Sequence, residues 1–412
     1  MVIDGERLEK HINTLATIGK IGETGVRRLA HSKEDRQGVD LVKEWMEEAG
    51  LETRIDCFGN LIGRLAGKEP DKPILMLGSH IDSQPYGGRF DGTAGALGGI
   101  EVVHSLKDNG IVSNRTIEVV CFADEEGARF NKGVFGVRAL IGQLEEGELE
   151  RKDKDGVSRL EALKEFGVTP DITQSPVYQP GDIEAFLELH IEQGPVLEDL
   201  GKPVGIVSAI AGPLWLTVTV EGFAGHAGSV PMSLRQDALV GASSIIKEFN
   251  ELVKKEGSKN TVGTVGSLQN FPNSRNIIPE KVEFTIDLRD IDTDARTRLE
   301  KKLYEIIEKT CSELNLTYSL NEDTRSDPRY CADWIKEIMK EEDEKLGLNS
   351  PTLMSGPFHD ALFMSYICDY GMIFVRCEKG ISHNPLEFAE IEDIQKGTEL
   401  LYQTAVRIAQ SK

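Results

Sequence analysis

Two short stretches of this chain set histidine and carboxylate residues close together among glycines. The first runs Gly78-Ser-His80-Ile-Asp82 and continues to Gly87-Gly-Arg-Phe-Asp91-Gly92; the second is Ala123-Asp-Glu125-Glu126-Gly127. Imidazole nitrogen with several carboxylates is a donor set for divalent ions of the zinc, manganese or cobalt type. One carboxylate beyond the ligands is what a hydrolase needs as a general base. In an extended segment His80 and Asp82 point the same way, so Asp82 can fix the imidazole in its metal-binding tautomer. Asp91 sits among glycines that allow close backbone approach, and its two oxygens can bridge two cations. Glu125 and Glu126 are neighbours pointing in different directions, so one can ligate while the other faces water. Taken singly, each stretch also suits a polar turn.

Further candidates lie downstream. His190, in Leu187-Glu-Leu-His-Ile-Glu-Gln193, sits in a strand-like run where a satisfied core histidine is the plainer reading. His383, in Gly380-Ile-Ser-His-Asn-Pro385, is a ligand or an ordinary loop histidine. His226, in Gly225-His-Ala-Gly228, has no metal or nucleophile motif around it. Asn276 lies in Ser274-Arg-Asn-Ile, and Arg289 in Asp287-Leu-Arg-Asp290. Arg289 can grip a carboxylate with its fork or pair with Asp287 or Asp290. The chain has neither a Gly-x-Ser-x-Gly elbow nor a Walker-type phosphate loop.

The elements that must position these residues follow from the hydrophobic pattern. Apolar runs at 73–79, 116–123 and 184–189 read as buried strands ending at His80, Glu125-Glu126 and His190, with helices at 36–49 and 94–108 between and before them. That alternation predicts a doubly wound α/β domain, whose sites form at the C-terminal strand ends. The pattern changes near residue 212. Residues 214–221 alternate, a helix is expected at 233–255, strands near 261–268 and 281–289, a helix at 293–314 and a strand near 315–320. These make a smaller α+β block with one open sheet face. The final helix is expected at 392–410. The expected organisation is a catalytic mixed-sheet domain of residues 1–211 and 328–412, with 212–327 inserted.

A chain of 412 residues is long enough for two cores. Its net charge of −22 disfavours nucleic acid and anionic membranes as partners, since both reward clustered Lys and Arg. An anionic substrate must therefore meet a local cation. The six scattered cysteines form no Cys-x-x-Cys pair and suit reduced, packed thiols of a cytoplasmic protein. Neither a secretory leader nor a membrane span is signalled.

Six ordered motifs run through nearly the whole chain: Gly78-Ser-His-Ile-Asp, Gly87-Gly-Arg-Phe-Asp-Gly, Asp124-Glu-Glu-Gly-Ala-Arg-Phe, His190-Ile-Glu-Gln-Gly-Pro, Gly225-His-Ala-Gly and Gly380-Ile-Ser-His. In these the chain resembles the hydantoinase/carbamoylase family of amidohydrolases, within the superfamily of dinuclear zinc aminoacylases and carboxypeptidases. The family includes N-carbamoyl-L-amino-acid hydrolases, allantoate amidohydrolases and β-ureidopropionases. The resemblance implies two divalent ions per subunit, zinc or else manganese or cobalt. His80, Asp91 and His190 would bind one, and Asp91, Glu126 and His383 the other. Asp82 would support His80, and Glu125 would be the general base that takes a proton from the attacking water.

The same resemblance implies that the smaller domain is both lid and dimer interface in a homodimer with shared active sites. His226 would stabilise the oxyanion in the partner's site. Gln193, Asn276 and Arg289 would bind a small carboxylate-bearing ureido substrate, with Arg289 on the carboxylate. Where the family commonly reads Gly-Ala-Gly-His-Asp-Ala, this chain has Gly356-Pro357-Phe358-His359-Asp360-Ala361. Gly356 is a candidate substrate contact, and Pro357 and Phe358 stiffen and enlarge a loop usually made of small residues. The expected reaction is hydrolysis of a carbamoyl C–N bond, releasing ammonia and carbon dioxide. One alternative is an aminoacylase or peptidase acting on N-acyl amino acids. A second is a non-catalytic dimeric binding protein, which the complete ligand and base set disfavours.

Overall fold

The structure, a computed structural model, describes residues 2–411. The chain divides into two compact units, one running to Ser208 and taking in Cys331–Leu353 and the chain from Phe358 onward, the other Ala209–Tyr330 with Met354–Pro357.

The first unit is built on β1 (Ile74–His80), α1 (Thr93–Asp108), β2 (Ile117–Phe122), β3 (Ile183–Ile191), β4 (Asp369–Val375) and α2 (Ile391–Gln410). The four strands lie in the order β4-β3-β1-β2 and all run parallel. Antiparallel strands flank them, Val204–Ile210 beside β4 and Leu61–Leu65 beside β2, so the sheet is mixed. The parallel strands are apolar at nearly every position because both faces are covered. On one side Leu75, Leu77, Val119, Cys121, Leu187 and Leu189 share a core with Leu97 and Ile100 of α1 and Leu400 and Leu401 of α2. The intervening side chains point the other way. There the helix Phe135–Leu140 packs on β2 and the helix Asp360–Met364 on β3, and the rings of Phe122 and Phe186 meet edge-on at 5.7 Å. This is the doubly wound arrangement that the alternating elements predicted.

Parallel strands deliver their C-terminal ends to one edge of the sheet. His80 is the last residue of β1, and Asp124 follows the end of β2 by two residues. His190 lies inside β3, one residue before its end, rather than just beyond the strand. Gly92 caps α1 directly after Asp91 with φ +62°, and a Cβ there would come within 2.4 Å of the His80 ring. Only glycine lets the helix start that close to the imidazole.

In the second unit the strand Gly212–Glu221 lies between Lys281–Asp290 and Thr317–Arg325, antiparallel to both. Burial alternates along Lys281–Asp290 residue by residue. Leu216, Val218, Phe284 and Ile286 pack with Ile245 and Phe249 of the helix Ala238–Glu256 and with Leu299, Leu303 and Ile307 of the helix Thr293–Glu313. The helix expected from 233 begins at Ala238, because Asp237 caps it by accepting from the backbone of Leu239 and Val240. The single strand expected over 261–268 is two, Val262–Thr264 and Leu268–Phe271, and the last strand extends to Arg325. Among the described residues all six cysteines are free thiols, and no helix is long and apolar enough to cross a membrane.

Candidate metal centre

Asp91 is the hub of the site. Its Oδ1 lies 3.1 Å from His190 Nε2 and 3.9 Å from His80 Nε2, while its Oδ2 lies 3.2 Å from His383 Nε2. His383 Nε2 is in turn 3.4 Å from Glu126 Oε2. The two carboxylate oxygens thus face two different donor groups, His80 with His190 and Glu126 with His383. In each group the donor atoms fall within 4.8 Å of one another. His80 and His190 are buried and each uses Nδ1 on a backbone carbonyl, Asp82 at 3.1 Å and Ile191 at 2.9 Å. A neutral ring that donates from Nδ1 keeps the Nε2 lone pair for a cation. Glu125 stands beside this pair, with Oε2 3.6 Å from His80 Nε2.

Asp82 does more than face His80, from whose Nδ1 its Oδ1 is 3.5 Å away. The same oxygen accepts from the backbone N–H of Glu125 at 3.1 Å, and Oδ2 accepts from that of Glu126 at 3.2 Å. One buried carboxylate therefore fixes the loop that carries both glutamates. Gln84 donates to Glu126 Oε2 at 2.6 Å. Gln193, expected on the substrate, donates its amide to Asp91 Oδ2 at 2.9 Å, while its Oε1 has no hydrogen-bond partner.

The remaining expected residues lie in the second unit. His226 is exposed, and its Nδ1 accepts from the Gly228 backbone at 3.1 Å, which leaves Nε2 to carry the proton of the neutral ring. The backbone carbonyl of Asn276 accepts from Ala227, and Gly225-His226 pairs with Ile277-Ile278, so the His226 and Asn276 segments lie together. Arg289 pairs with Asp287, Nη2 to Oδ2 at 2.8 Å and Nε to Oδ1 at 2.9 Å, and donates from Nη1 to the carbonyl of Gly356 at 2.7 Å. The competing salt bridge with Asp287 is therefore formed, and the guanidinium also reaches the loop of Gly356.

A match to the peptidase family M20/M25/M40 spans residues 76–407. N-carbamoyl-L-amino-acid amidohydrolases from Pseudomonas sp. (strain NS671) and Geobacillus stearothermophilus are 47% and 43% identical to the chain. The first alignment covers 99% of this chain and 99% of its relative, the second 100% of both. The crystal structure of a hydantoinase/carbamoylase-family amidase from Burkholderia multivorans matches with a TM-score of 0.92 at 36% identity, over 99% of this chain and 98% of that one. The chain belongs to the M20/M25/M40 peptidase family, among its hydantoinase/carbamoylase amidohydrolases.

The donor chemistry of this amidohydrolase fits divalent metal. Among the described residues no Lys or Arg forms an ion pair with Asp91, Glu125 or Glu126, whose only close cationic partners are histidines. Without a cation the groups compensate one another. Burial pushes Glu126 up to about 7 and holds Glu125 well above the carboxylate range. Its hydrogen bond with Asp91 pushes His383 up to about 9. For Asp91 the cost of burial is outweighed by His190 and His383, which hold it well below the usual range. A cluster of carboxylates and imidazoles that can only trade protons among themselves is the donor set that divalent ions complete.

Several residues that serve this site were not expected. Arg159, fully buried, donates to Asp124 Oδ2 at 2.8 Å, to the Lys132 carbonyl at 2.9 Å and to Glu148 Oε2 at 2.6 Å, with the rings of Phe130 and Phe135 against its guanidinium. It anchors the turn in which Asp124 takes φ +54°, a left-handed conformation that aims Glu125 inward. Glu188 accepts from Ser79 Oγ at 2.8 Å and from the backbone of Ala361 at 3.0 Å, tying β1 and β3 to the helix behind the site. The His359 ring meets that of His190 edge-on at 4.4 Å. Glu387 accepts from the Phe90 and Asp91 backbone at 2.9 and 3.0 Å. No periodicity marks these residues, whose partners lie far away in sequence.

Proposed function

We propose that this amidohydrolase removes the carbamoyl group of an N-carbamoyl-L-amino acid, yielding the free amino acid, ammonia and carbon dioxide. The observation that carries the reading is the division of the Asp91 carboxylate between two donor groups, with Glu125 left over beside them. His80, Asp91 and His190 would hold one ion and Asp91, Glu126 and His383 the second, with zinc, manganese and cobalt all suited to such mixed donors. Bound there, divalent ions would acidify a water and polarise the substrate carbonyl.

Glu125 takes a proton from the attacking water and passes it to the departing nitrogen. Burial, which favours its neutral form, prepares it to hold that proton between the two steps. Asp82 keeps Glu125 and Glu126 at a fixed separation through their backbone N–H groups. The Nε2–H of His226 is a donor for the oxyanion, supplied from the second copy of a homodimer. Arg289, with Gly356 beside it in the lid unit, takes the substrate carboxylate by exchanging the Asp287 fork for it, and Asn276, in the segment paired with that of His226, is a further substrate contact. Gln193 Oε1, free of protein donors, accepts from the carbamoyl amide. The 47% and 43% identical relatives, both N-carbamoyl-L-amino-acid amidohydrolases, support this substrate class over allantoate or a β-ureido acid.

The test is ammonia release by manganese- or zinc-loaded protein on N-carbamoyl-L-amino acids, allantoate, N-carbamoyl-β-alanine and N-acetyl amino acids. Turnover of the carbamoyl-L-amino acids, abolished by chelation and restored by the ion, is expected. Faster turnover of allantoate would reassign the substrate. Amine release from the acetyl compounds alone would overturn the ureido reading.

A further inference from the structure

We propose that Glu387 is a positioning residue that draws the hydroxyl proton of Ser382 toward itself and so keeps a second donor, beside the Gln193 amide, off Asp91 Oδ2. The inference rests on reading the Asp91 groups as the metal centre. Glu387 is 2% exposed and, among the described residues, forms no ion pair with Lys or Arg. A buried carboxylate without a cation needs full hydrogen bonding. Here Oε1 accepts from the Phe90 and Asp91 backbone at 2.9 and 3.0 Å, and Oε2 from Ser382 Oγ at 3.0 Å. Gly88 makes room for it, since a Cβ there would lie 2.2 Å from Glu387 Oε1. The side chain therefore latches the loop bearing Asp91 to the loop bearing His383, across almost 300 positions of sequence.

The geometry at Ser382 gives the latch a second role. Its Oγ is also 2.9 Å from Asp91 Oδ2, an oxygen that already accepts from Gln193 Nε2 at 2.9 Å, and the same amide nitrogen lies 3.3 Å from the hydroxyl. A hydroxyl has one proton, so Ser382 can donate to Glu387 or to Asp91 but not to both. Oδ2 is the oxygen that faces Glu126 and His383. A proton donated there competes with a cation for the same lone pairs. Glu387 supplies the alternative acceptor. In Glu387→Gln the amide oxygen still accepts from the two backbone donors, but the NH2 group faces Ser382 as a donor. Ser382 then accepts from the amide and turns its proton onto Asp91.

Titration of the metal-free protein with Mn2+ by calorimetry, and with Co2+ by visible absorption, tests this without reference to turnover. Wild type is expected to bind in two steps. E387Q should lose affinity about 10–100-fold in the step assigned to Asp91, Glu126 and His383, with an altered cobalt spectrum and a nearly unchanged first step. Adding S382A to E387Q should recover most of the loss, because the misdirected proton is gone; a merely structural defect would not be rescued. S382A alone should bind the second ion at least as tightly as wild type, so it decides the matter even if E387Q fails to fold. Unchanged binding in E387Q, or a tenfold loss in S382A, overturns the proposal. A wild-type protein that takes up no ion overturns the metal-centre reading itself, and the proposal with it.

Discussion

Replacing Asp82 by asparagine changes one atom and separates positioning from ligation. The carboxylate accepts from the Glu125 N–H at one oxygen and from the Glu126 N–H at the other, and it faces His80 Nδ1. Asparagine keeps one acceptor and turns an NH2 group toward the other backbone donor. One charge-assisted hydrogen bond is lost, about 1.5–3 kcal/mol, and a donor faces a donor in a buried place. If the whole loss falls on the arrangement of Glu125 in the transition state, kcat should fall about 10- to 150-fold at 1.36 kcal/mol per decade. The ligand atoms are untouched, so KM should move by less than about threefold. Steady-state kinetics on an N-carbamoyl-L-amino acid at saturating metal, with ion content measured on the same sample, reads both. A kcat within threefold of wild type would refute the argument that Asp82 positions the base. A loss of bound ion in proportion to activity would instead place its role in holding His80.

Three other perturbations probe different parts of the site. Glu125→Gln should retain both ions yet lose about 10²–10⁴-fold in kcat, the usual worth of a general base; near-normal turnover in a metal-replete sample removes the assignment. Arg289→Ala should raise KM roughly 10–100-fold with a smaller change in kcat, since a charge-assisted contact to a substrate carboxylate is worth about 1.5–3 kcal/mol; an unchanged KM sinks that role. Metal affinity should climb steadily from pH 6 to pH 9. The sign follows from the ligands: His383, near 9 beside Asp91, and Glu126, near 7 through burial, must both shed protons to bind an ion. Calorimetry in buffers of different ionisation heat should register that release, and a flat profile would contradict it.

How much of this was legible in the sequence depends on where the information resides. His80 and the Glu125–Glu126 pair were legible as candidate ligands because a parallel sheet brings its chemistry to strand ends, and an apolar run that stops at a histidine or an acidic pair declares such an end; His190 and His383 joined the candidate set through the family resemblance. His80 and the Glu125–Glu126 turn lie at β1 and β2 as the runs implied. His190 was the harder case, since a histidine inside β3 reads as core until the neighbouring loop brings Asp91 within 3.1 Å of it. The start of the helix at Ala238 was missed because apolar spacing continues through Met232–Leu234. The competing signal was Asp237, a cap whose carboxylate stops the turn before it from joining the helix.

What the pattern cannot carry is the support behind the ligands. Arg159, Glu188 and Glu387 are charged residues at fully buried positions, and burial of charge is defined only by partners that folding assembles. Each acts on the backbone or on a side chain beside a candidate ligand or the proposed base, not on a ligand donor atom: Arg159 on Asp124 before Glu125, Glu188 on Ser79 before His80, Glu387 on the Asp91 amide. This division has a physical cause. Ligand donor types are fixed by the ion and repeat as recognisable motifs, whereas a supporting group need only reach a backbone N–H or a neighbouring polar atom. Many residues at many sequence distances can do that. Arg289 shows the same limit in another form. Its spacing allowed either a substrate carboxylate or Asp287, and the structure forms the Asp287 fork while leaving the guanidinium on the Gly356 loop. An arginine held on an internal carboxylate and a loop carbonyl is already oriented. In the proposed exchange, a substrate carboxylate would meet a guanidinium that the fold has already oriented, the local cation that a chain of net charge −22 needs for a small anion.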